Sequence, residues 1–390
     1  MKKEIIVFVS NVIALFGALG IAVNFLPFYS QGLISFAATL PAFSSPLEKI
    51  ETASQQVSLI IGGDETNNNN TAREESSEVM KRVINEDSSD NADLTQTPSD
   101  VLALMEAEQQ VIGDETVKGK TSEESYSGGG TILAFSNTEI QSKIPPDFYE
   151  PDIEALLQAK ADLSIKDYSQ PTVLIYHSHT TESYTLLDAG FYTESADLKT
   201  QDTARNVVRV GDEICRILEE KGIGVLHDTE IHDLSYNAAY DSSRKSVEEY
   251  LEQYPSIEIT IDVHRDSITY KDGTKVKPTA VVNGKKAARM MIISGCEYGR
   301  VKSFESWQDN LRFSAAVTEK VNSAYEGLMR PILFSERRYN MDLTPNSFLL
   351  EVGTDANTLE EACYSGRLFA SAFADLLIDE YSLQESASAN

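Results

Sequence analysis

The chain has 390 residues and a formal net charge of -28 at pH 7. This charge argues against nucleic acid as a binding partner, because no basic stripe is available to replace the counterions of the phosphates. The three cysteines are an odd number without metal-type spacing. We therefore predict that they are small buried hydrophobic side chains and that the chain has no disulfide framework.

An almost unbroken apolar segment runs from about residue 5 to residue 28, directly after two lysines. As a helix it is long enough to cross about 30 Å of hydrocarbon, whereas the apolar core of a cleaved signal peptide is usually shorter. We predict an uncleaved transmembrane anchor over residues 1–30, with signal cleavage near Ala37-Ala38 as the competing interpretation. The lysines place the N-terminus in the cytoplasm and the rest of the chain outside the cell membrane.

Residues 31–130 differ in character from the rest of the chain. Between residues 64 and 124, sixteen Asp and Glu stand against five Lys and Arg, and aromatic residues are few. Such a segment cannot bury enough apolar surface to offset its ordering entropy. We predict a disordered and extended extracytoplasmic linker, ending at the glycine run Gly128–Gly130, in which Ser99 to Gln110 can form a short helix with a thin apolar face.

The remaining residues, 131–390, have the length of one α/β domain with one core. We predict strands at 172–177, 223–226, 257–263, 280–283, 290–294, 331–334 and 347–352, and helices at 206–221, 242–253, 308–325 and 358–381. The repeated strand-then-helix order predicts a mostly parallel sheet that is covered by helices on both faces.

Three of the predicted strands end in residues that suit metal binding. They are Pro171-Thr-Val-Leu-Ile-Tyr-His-Ser-His-Thr-Thr-Glu182, Ile257-Glu-Ile-Thr-Ile-Asp-Val-His-Arg-Asp266 and Ser347-Phe-Leu-Leu-Glu-Val-Gly353. In sheets of this type, function gathers outside the carboxyl ends of the strands. We therefore expect the histidines of the first two segments and the glutamate of the third to lie together.

A zinc hydrolase needs three protein ligands and an open fourth position for water. His179, Glu182 and His264 supply such a set, and the ion would lower the pKa of its bound water to about 7. A further carboxylate must take the proton of that water and pass it to the leaving nitrogen, and Glu351 is our candidate. Its apolar neighbours would shield it and raise its pKa. His177 is an alternative to His179, because residues two apart on a strand face the same side.

Residues beside His264 suit supporting roles. Asp262 shares its face of the strand and is predicted to orient the imidazole, with Asp266 as the alternative. Arg265 is predicted to pair with the carboxylate of a peptide substrate, since its planar fork suits bidentate binding.

Two further groups of residues are given no catalytic role. Ser178 lies between two histidines, but no Gly-x-Ser-x-Gly motif surrounds it, so the signal for a nucleophilic serine is poor. His227 and His232 lie in a polar stretch and are predicted to be solvated loop residues.

Five motifs, in this order, resemble the stage II sporulation protein P family. They are Val173-Leu-Ile-Tyr-His-Ser-His-Thr-Thr-Glu-Ser-Tyr184, Asn206-Val-Val-Arg-Val-Gly211, Ser235-Tyr-Asn-Ala-Ala-Tyr240, Ile261-Asp-Val-His-Arg-Asp266, and Tyr339-Asn-Met-Asp-Leu343 with Leu349-Leu-Glu-Val-Gly353. The resemblance covers most of residues 170–380. It implies a zinc-dependent N-acetylmuramoyl-L-alanine amidase, with endopeptidase activity on peptide cross-links, that thins septal peptidoglycan during engulfment of the forespore.

The resemblance also implies a location and partners. The chain would be anchored in the mother-cell membrane and would act with the stage II sporulation proteins D, a lytic transglycosylase, and M, a membrane protein. Residues 131–390 would form the catalytic amidase domain. The alternative is a non-catalytic peptidoglycan-binding scaffold of the engulfment complex, which would gain little from Glu351 beside a metal.

The implied fold resembles zinc amidases that carry Asp-Pro-Gly-His-Gly-Gly after their first strand, and matching that motif to this chain favours His179 over His177. Those amidases take a glutamate just before the first long helix, where this chain has Asp202-Thr-Ala-Arg-Asn206. Glu182 is therefore the expected second ligand, with Asp202 as its substitute. His264 and Glu351 match the second metal histidine and the catalytic glutamate.

Overall fold

Two β-sheets and six α-helices are found among the residues that the structure, a computed structural model, describes, namely 94–126, 128–163, 165–194 and 199–382. In chain order the strands are β1 (Val117–Glu124), β2 (Leu133–Phe135), β3 (Thr138–Ser142), β4 (Val173–Tyr176), β5 (Phe191–Thr193), β6 (Val225–His227), β7 (Ile259–Asp266), β8 (Lys275–Val282), β9 (Lys285–Ala288), β10 (Met290–Gly295), β11 (Ile332–Ser335) and β12 (Phe348–Thr354). The helices are α1 (Ser99–Val111), α2 (Ile153–Gln158), α3 (Val207–Glu220), α4 (Ala239–Gln253), α5 (Trp307–Ala324) and α6 (Leu359–Tyr381).

The central sheet has eight strands in the order β2-β3-β11-β10-β12-β7-β4-β6. The neighbours β4 and β6, β4 and β7, β7 and β12, β10 and β11, and β3 and β11 pair parallel. The pairs β10–β12 and β2–β3 are antiparallel. Every strand and helix predicted between residues 172 and 381 overlaps an observed one, and the predicted α/β class is confirmed.

A second, four-stranded sheet has the order β5-β1-β8-β9. Strands β8 and β9 form an antiparallel hairpin whose turn residues, Asn283 and Gly284, both have positive φ, as two-residue hairpin turns require. Lys285 and Lys286, which follow this turn, belong to β9. The Asn-Gly pair therefore marks the turn better than the lysines that follow it.

The side chains of the central sheet alternate between two apolar layers. Odd-numbered residues of β4 and β7, such as Ile175 and Ile261, join the large core that also contains buried residues of α3, α5 and α6. Leu174 and Tyr176 of β4 face the other side, where they pack with Val247 of α4. On the same face, Leu349 of β12 packs with Met291 and Ile293 of β10 in a separate small cluster.

The structure differs from the predicted disordered linker over residues 94–126. Helix α1 agrees with the short helix predicted there, and its Val101 is fully buried. Its Asp100 accepts a 2.7 Å hydrogen bond from Arg209, and Glu123 of β1 lies 2.6 Å from Lys286. Two acidic residues of this segment therefore pair with cations of the folded part, and ordered structure begins well before residue 131.

The predicted anchor, 1–30, and the rest of the predicted linker, 31–93, lie outside the described residues. Within the described ranges, no helix is both long and apolar enough to cross a membrane.

Candidate functional site

The site lies where β4, β7 and β12 reach their carboxyl ends. Tyr176 of β4 pairs with Asp262 of β7, and His264 of β7 pairs with Glu351 of β12. These parallel registers place the chain that follows β4 beside His264, and Glu351 directly next to it. The predicted meeting of the three strand ends is therefore observed.

His179, Glu182 and His264 form a buried cluster, with 7, 9 and 3% of their surfaces exposed. Nδ1 of His264 lies 3.4 Å from Oε2 of Glu182, and the ring centroids of His179 and His264 are 5.4 Å apart in an edge-on arrangement. A tight turn after β4, in which the amide of Glu182 donates to the carbonyl of His179, brings the first two together.

Oδ1 of Asp262 lies 2.8 Å from the second nitrogen of His264, Nε2, at ion-pair distance. Asp262 also accepts hydrogen bonds from the amide and the hydroxyl of Ser178, at 2.8 and 2.7 Å. The predicted neighbour of the imidazole is therefore observed, and its role in orienting the ring stays a prediction. Asp266, the alternative, forms an ion pair with Arg330 at 2.9 Å instead. The Ser178 hydroxyl contacts a carboxylate and not a histidine, so it lacks the base that a nucleophilic serine needs.

His177 lies on the other face of the sheet. Its Nδ1 is 2.8 Å from the carbonyl oxygen of Val263, and its Nε2 is 2.8 Å from Nε2 of His227. The pair packs against Gly211 of α3, where a Cβ atom would lie 2.5 Å from His227. Burial lowers the pKa of His177 well below its ordinary value. Its position therefore favours His179 as the ligand of the first strand.

Asp202 lies outside the cluster, whereas Arg265 contacts it through its backbone amide, which donates to Oε2 of Glu182 at 3.2 Å. Asp202 is exposed and accepts a hydrogen bond from the amide of Ala204 in the turn before α3. Arg265 is buried, and its Nε donates to the carbonyl of Ser183 at 3.2 Å. Because side chains alternate along β7, the guanidinium lies on the opposite side from His264. The contact of Arg265 with a substrate carboxylate stays a prediction.

The two glutamates of the site have opposite electrostatic environments. Burial raises the pKa of Glu351 to about 8, and the charges of Asp266 and Glu182 add to the effect while those of His264 and Arg330 oppose it. Burial would also raise the pKa of Glu182, but the hydrogen bond and charge of His264 and the charge of Arg265 lower it to about 2. The surroundings thus hold the carboxyl of Glu182 ionised and raise the pKa of Glu351 to a range in which it can exchange a proton near neutral pH.

The cluster fits a metal ion by its donor set, since two imidazoles and a carboxylate are typical ligands of zinc. Burial opposes a positive charge on His264, but Asp262 and Glu182 raise its pKa well above the ordinary value. The surroundings therefore stabilise a positive charge at this position, which a bound cation would supply. Oε2 of Glu351 is buried without a hydrogen-bond partner among the described residues.

Two tyrosines that we had assigned no role complete the site. The ring of Tyr240 lies 5.4 Å from His179 and 6.4 Å from His264, and it stacks on Tyr339 at 4.7 Å. Tyr240 ends the motif Ser235-Tyr-Asn-Ala-Ala-Tyr240, and Tyr339 begins the motif Tyr339-Asn-Met-Asp-Leu343. Nothing in the sequence pattern indicates that residues a hundred positions apart would stack beside the histidines.

A second group of potential ligands, Asp228, Glu230 and His232, has its donor atoms within 4.8 Å of one another. His232 is buried, contrary to the predicted solvated loop. Its Nε2 lies 2.9 Å from Asp228, and its Nδ1 lies 3.0 Å from the hydroxyl of Ser242. Both ring nitrogens are therefore satisfied within the protein, so this group needs no ion. His227 is also held, by His177 and by Asp212 at 3.1 Å.

The fold and the site together define an α/β domain with a histidine and carboxylate centre at the carboxyl edge of its sheet. The model of the stage II sporulation protein P family matches residues 42–374. The chain belongs to this family. It is 31% identical over 270 residues to the stage II sporulation protein P of Bacillus subtilis, a match that spans 63% of this chain and 64% of that relative.

Several solved structures are similar to parts of this chain. The N-acetylmuramoyl-L-alanine amidase AmiC2 of Nostoc punctiforme shares 13% identity, with 54% of this chain and 96% of that chain covered at a TM-score of 0.33. The CwlD amidase of Clostridioides difficile, solved in complex with the GerS lipoprotein, shares 11% identity, with 54% and 100% covered at 0.34. The catalytic domain of the amidase CwlV of Bacillus (Paenibacillus) polymyxa shares 14% identity, with 54% and 97% covered at 0.33.

Proposed function

We propose that the protein is a zinc-dependent peptidoglycan hydrolase, an N-acetylmuramoyl-L-alanine amidase with endopeptidase activity, that acts in sporulation. One observation carries the proposal: Glu351, with a pKa raised to about 8 and a buried Oε2 that lacks a hydrogen-bond partner among the described residues, lies beside His264. A purely structural carboxylate would be expected to have a cation or a donor at that atom.

In this mechanism His179, Glu182 and His264 would hold the zinc ion. When bound, the ion supplies a Lewis acid and lowers the pKa of a water molecule to about 7. Asp262 fixes the ring of His264 through Nε2, so that Nδ1 remains directed at Glu182. The low pKa of Glu182 keeps that carboxylate ionised and available as a ligand.

Glu351 would handle the proton. Its carboxylate accepts a proton from the attacking water and then holds it as a carboxylic acid, which its raised pKa favours. The same acid donates this proton to the leaving nitrogen of the amide bond, which would otherwise depart as an unstable anion. Burial of Oε2 keeps bulk water away during the transfer.

The cellular setting is part of the proposal. The apolar segment near the N-terminus would anchor the chain in the mother-cell membrane, with the domain on the outer side at the engulfing septum. Its substrate would be septal peptidoglycan, and the stage II sporulation proteins D and M would be its partners. Membership of the sporulation family supports this setting.

The test uses the full chain, purified in detergent and incubated with isolated peptidoglycan. Zinc-loaded protein should release free stem peptides, a chelator should stop the release, and added zinc should restore it. Glu351→Gln should lower the rate by about a hundredfold to ten-thousandfold while one zinc per chain is retained. Glu326→Gln, a change at an exposed glutamate far from the site in the sequence, is the matched control and should remain active.

Two results would count against this function. If zinc-loaded protein binds peptidoglycan and releases nothing, even with the partner transglycosylase present, the protein is a scaffold. If Glu351→Gln retains full cleavage, the proton transfer uses another group.

A further inference from the structure

A pocket of about 550 Å³ opens next to the histidine site, and its lining is strongly basic. We name it the basic cleft; it is lined by Tyr240, Asp241, Arg244, Arg300, Val301, Lys302, Glu336, Arg337, Arg338, Tyr339 and Asn340. Five cations face two carboxylates there, although the chain as a whole carries a net charge of -28. A concave surface of one sign concentrates its field and attracts ligands of the other sign.

The cleft shares a wall with the site. Tyr240 lines the cleft and also contacts both His179 and His264. Tyr339 stacks on Tyr240, and the guanidinium of Arg337 lies 5.7 Å from the centroid of the Tyr339 ring. The basic cleft and the histidine site therefore share the ring of Tyr240.

The turn that carries these arginines is held in an unusual conformation. Tyr339 and Asn340 have φ angles of 42° and 60°, a region that non-glycine residues seldom adopt. The side-chain amide of Asn340 donates to the carbonyl of Tyr240 at 3.2 Å and to the hydroxyl of Ser243 at 3.0 Å. Such conformations persist only where surrounding contacts enforce them, and they cluster at functional sites.

The hydrogen bonds of Asn340 continue into the site. The hydroxyl of Ser243 is 2.7 Å from that of Ser178, which in turn donates to Asp262 at 2.7 Å. Asp262 is the residue predicted to orient His264. The turn of the basic cleft and the histidine site are thus fixed to one another by buried polar contacts, as a substrate that spans both would require.

Three of the cations retain donors that face solvent. The side chain of Arg300 is 94% exposed and reaches Glu336 only at 3.4 Å, and that of Arg338 is 50% exposed and lies 3.7 Å from Asp342. Arg337 uses one nitrogen to donate to the carbonyl of Glu336. Arg244, in contrast, is committed by two hydrogen bonds to Asp342. Arg300, Arg337 and Arg338 are therefore available to a ligand, as is the exposed Lys302.

We propose that the basic cleft is the subsite that binds the free carboxylates of the peptide stem of the substrate, an inference that rests on the proposed hydrolase function. A guanidinium presents paired donors that match a carboxylate. The adjoining tyrosine ring offers an apolar surface to the peptide between the carboxylates and the bond at the zinc site. The three available arginines of the cleft are exposed, whereas Arg265 is buried.

The test measures binding of a labelled stem peptide to the full, zinc-loaded chain carrying Glu351→Gln, so that no turnover interferes. We expect the peptide with free carboxylates to bind more tightly than the same peptide with every carboxylate amidated. In the added triple variant Arg300→Gln/Arg337→Gln/Arg338→Gln, affinity for the free peptide should fall about tenfold or more, and the amidated peptide should be unaffected. The preference should also weaken as salt is raised.

The matched control removes three lysines from other surfaces, Lys118→Gln/Lys120→Gln/Lys160→Gln, with the same change in net charge. It should keep the full preference. The single change Arg300→Gln, at a side chain that is almost fully exposed, guards against misfolding of the triple variant and should reduce the preference in part.

The inference is overturned if the amidated peptide binds equally well, if the arginine variant keeps the preference, or if the lysine control loses it. It is also overturned if a phosphate polymer without peptide competes and the free peptide does not bind. The binding assay needs no cleavage, so its result is independent of the peptidoglycan cleavage assay. A protein that cleaves peptidoglycan but shows no preference for free carboxylates refutes only the proposed subsite.

Discussion

Two pairs of histidines lie on opposite faces of the central sheet, and they show what makes one pair a candidate for chemistry. His177 and His227 contact each other beside α3, and burial keeps the pKa of His177 well below its ordinary value. His179 and His264 lie on the other face, where Asp262 and Glu182 approach His264 within 2.8 and 3.4 Å. Histidines at the end of a strand are common structural residues. The carboxylates of Asp262 and Glu182 beside the second pair are the feature that favours a bound cation.

The largest effect is expected from removing a histidine ligand, and it shows which of the two histidine pairs binds the zinc ion. His264→Ala should lose the zinc and reduce cleavage of peptidoglycan by about a thousandfold or more, because one of three ligands is removed. His177→Ala, the matched change on the other face, should keep one zinc per chain. Metal analysis after dialysis, together with the cleavage assay, measures both. A His264→Ala protein that still holds one zinc would remove this residue from the site.

A smaller effect, on zinc affinity, should follow from a change that weakens the contact of Asp262 with the imidazole ring of His264 but keeps the ring. Asp262→Asn keeps a hydrogen-bonding group near Nε2 of His264 but removes the charge, and such changes lower metal affinity about 10 to 100-fold. Competition with a chelator of known affinity measures the change. Asp266→Asn is the control, because Asp266 pairs with Arg330 and not with the histidine. Equal zinc affinities of the two variants would contradict the assigned role of Asp262.

The smallest effect concerns stability and pH in zinc-free protein. The pKa of Glu351 rises from 4.5 to about 8 on folding, so the folded state binds this proton more tightly than the unfolded state. The stabilisation is fully present below pH 4.5 and is lost as the pH rises from there through about 8. Chemical denaturation between pH 5 and 9 should show this decline, and Glu351→Gln should reduce it. An unchanged slope would mean that Glu351 is not protonated in the folded state.

The sequence contained enough information to bring the three strand ends together. His264 and Glu351 follow β-branched and apolar runs, and the parallel pairing predicted from strand-helix order places them side by side. Period-2 alternation also places the side chain of Arg265 on the opposite face of β7 from that of His264. The same rule could not separate His177 from His179, because the choice depends on the chain turning sharply after β4.

Long-range pairing is what the sequence could not supply. The composition of residues 94–126 predicts a disordered segment, because the cations that pair with its acidic residues, such as Arg209 and Lys286, are far away in the sequence. The stacking of Tyr240 on Tyr339 likewise joins two loops whose approach depends on the complete sheet. Composition describes a segment alone, whereas ion pairs and ring contacts depend on what the fold brings next to it.

The pairing of Glu351 with His264 also bears on how the chain avoids misfolding. Shifting β12 by one residue along β7 would turn every side chain of the strand to the opposite face. Glu351 would then enter the apolar core now occupied by Leu350 and Val352, and those two would move to the polar edge. A carboxylate in such a core is costly, so the residue we assign to proton transfer also penalises the wrong register. A chain that mispaired these strands would lose stability and activity together.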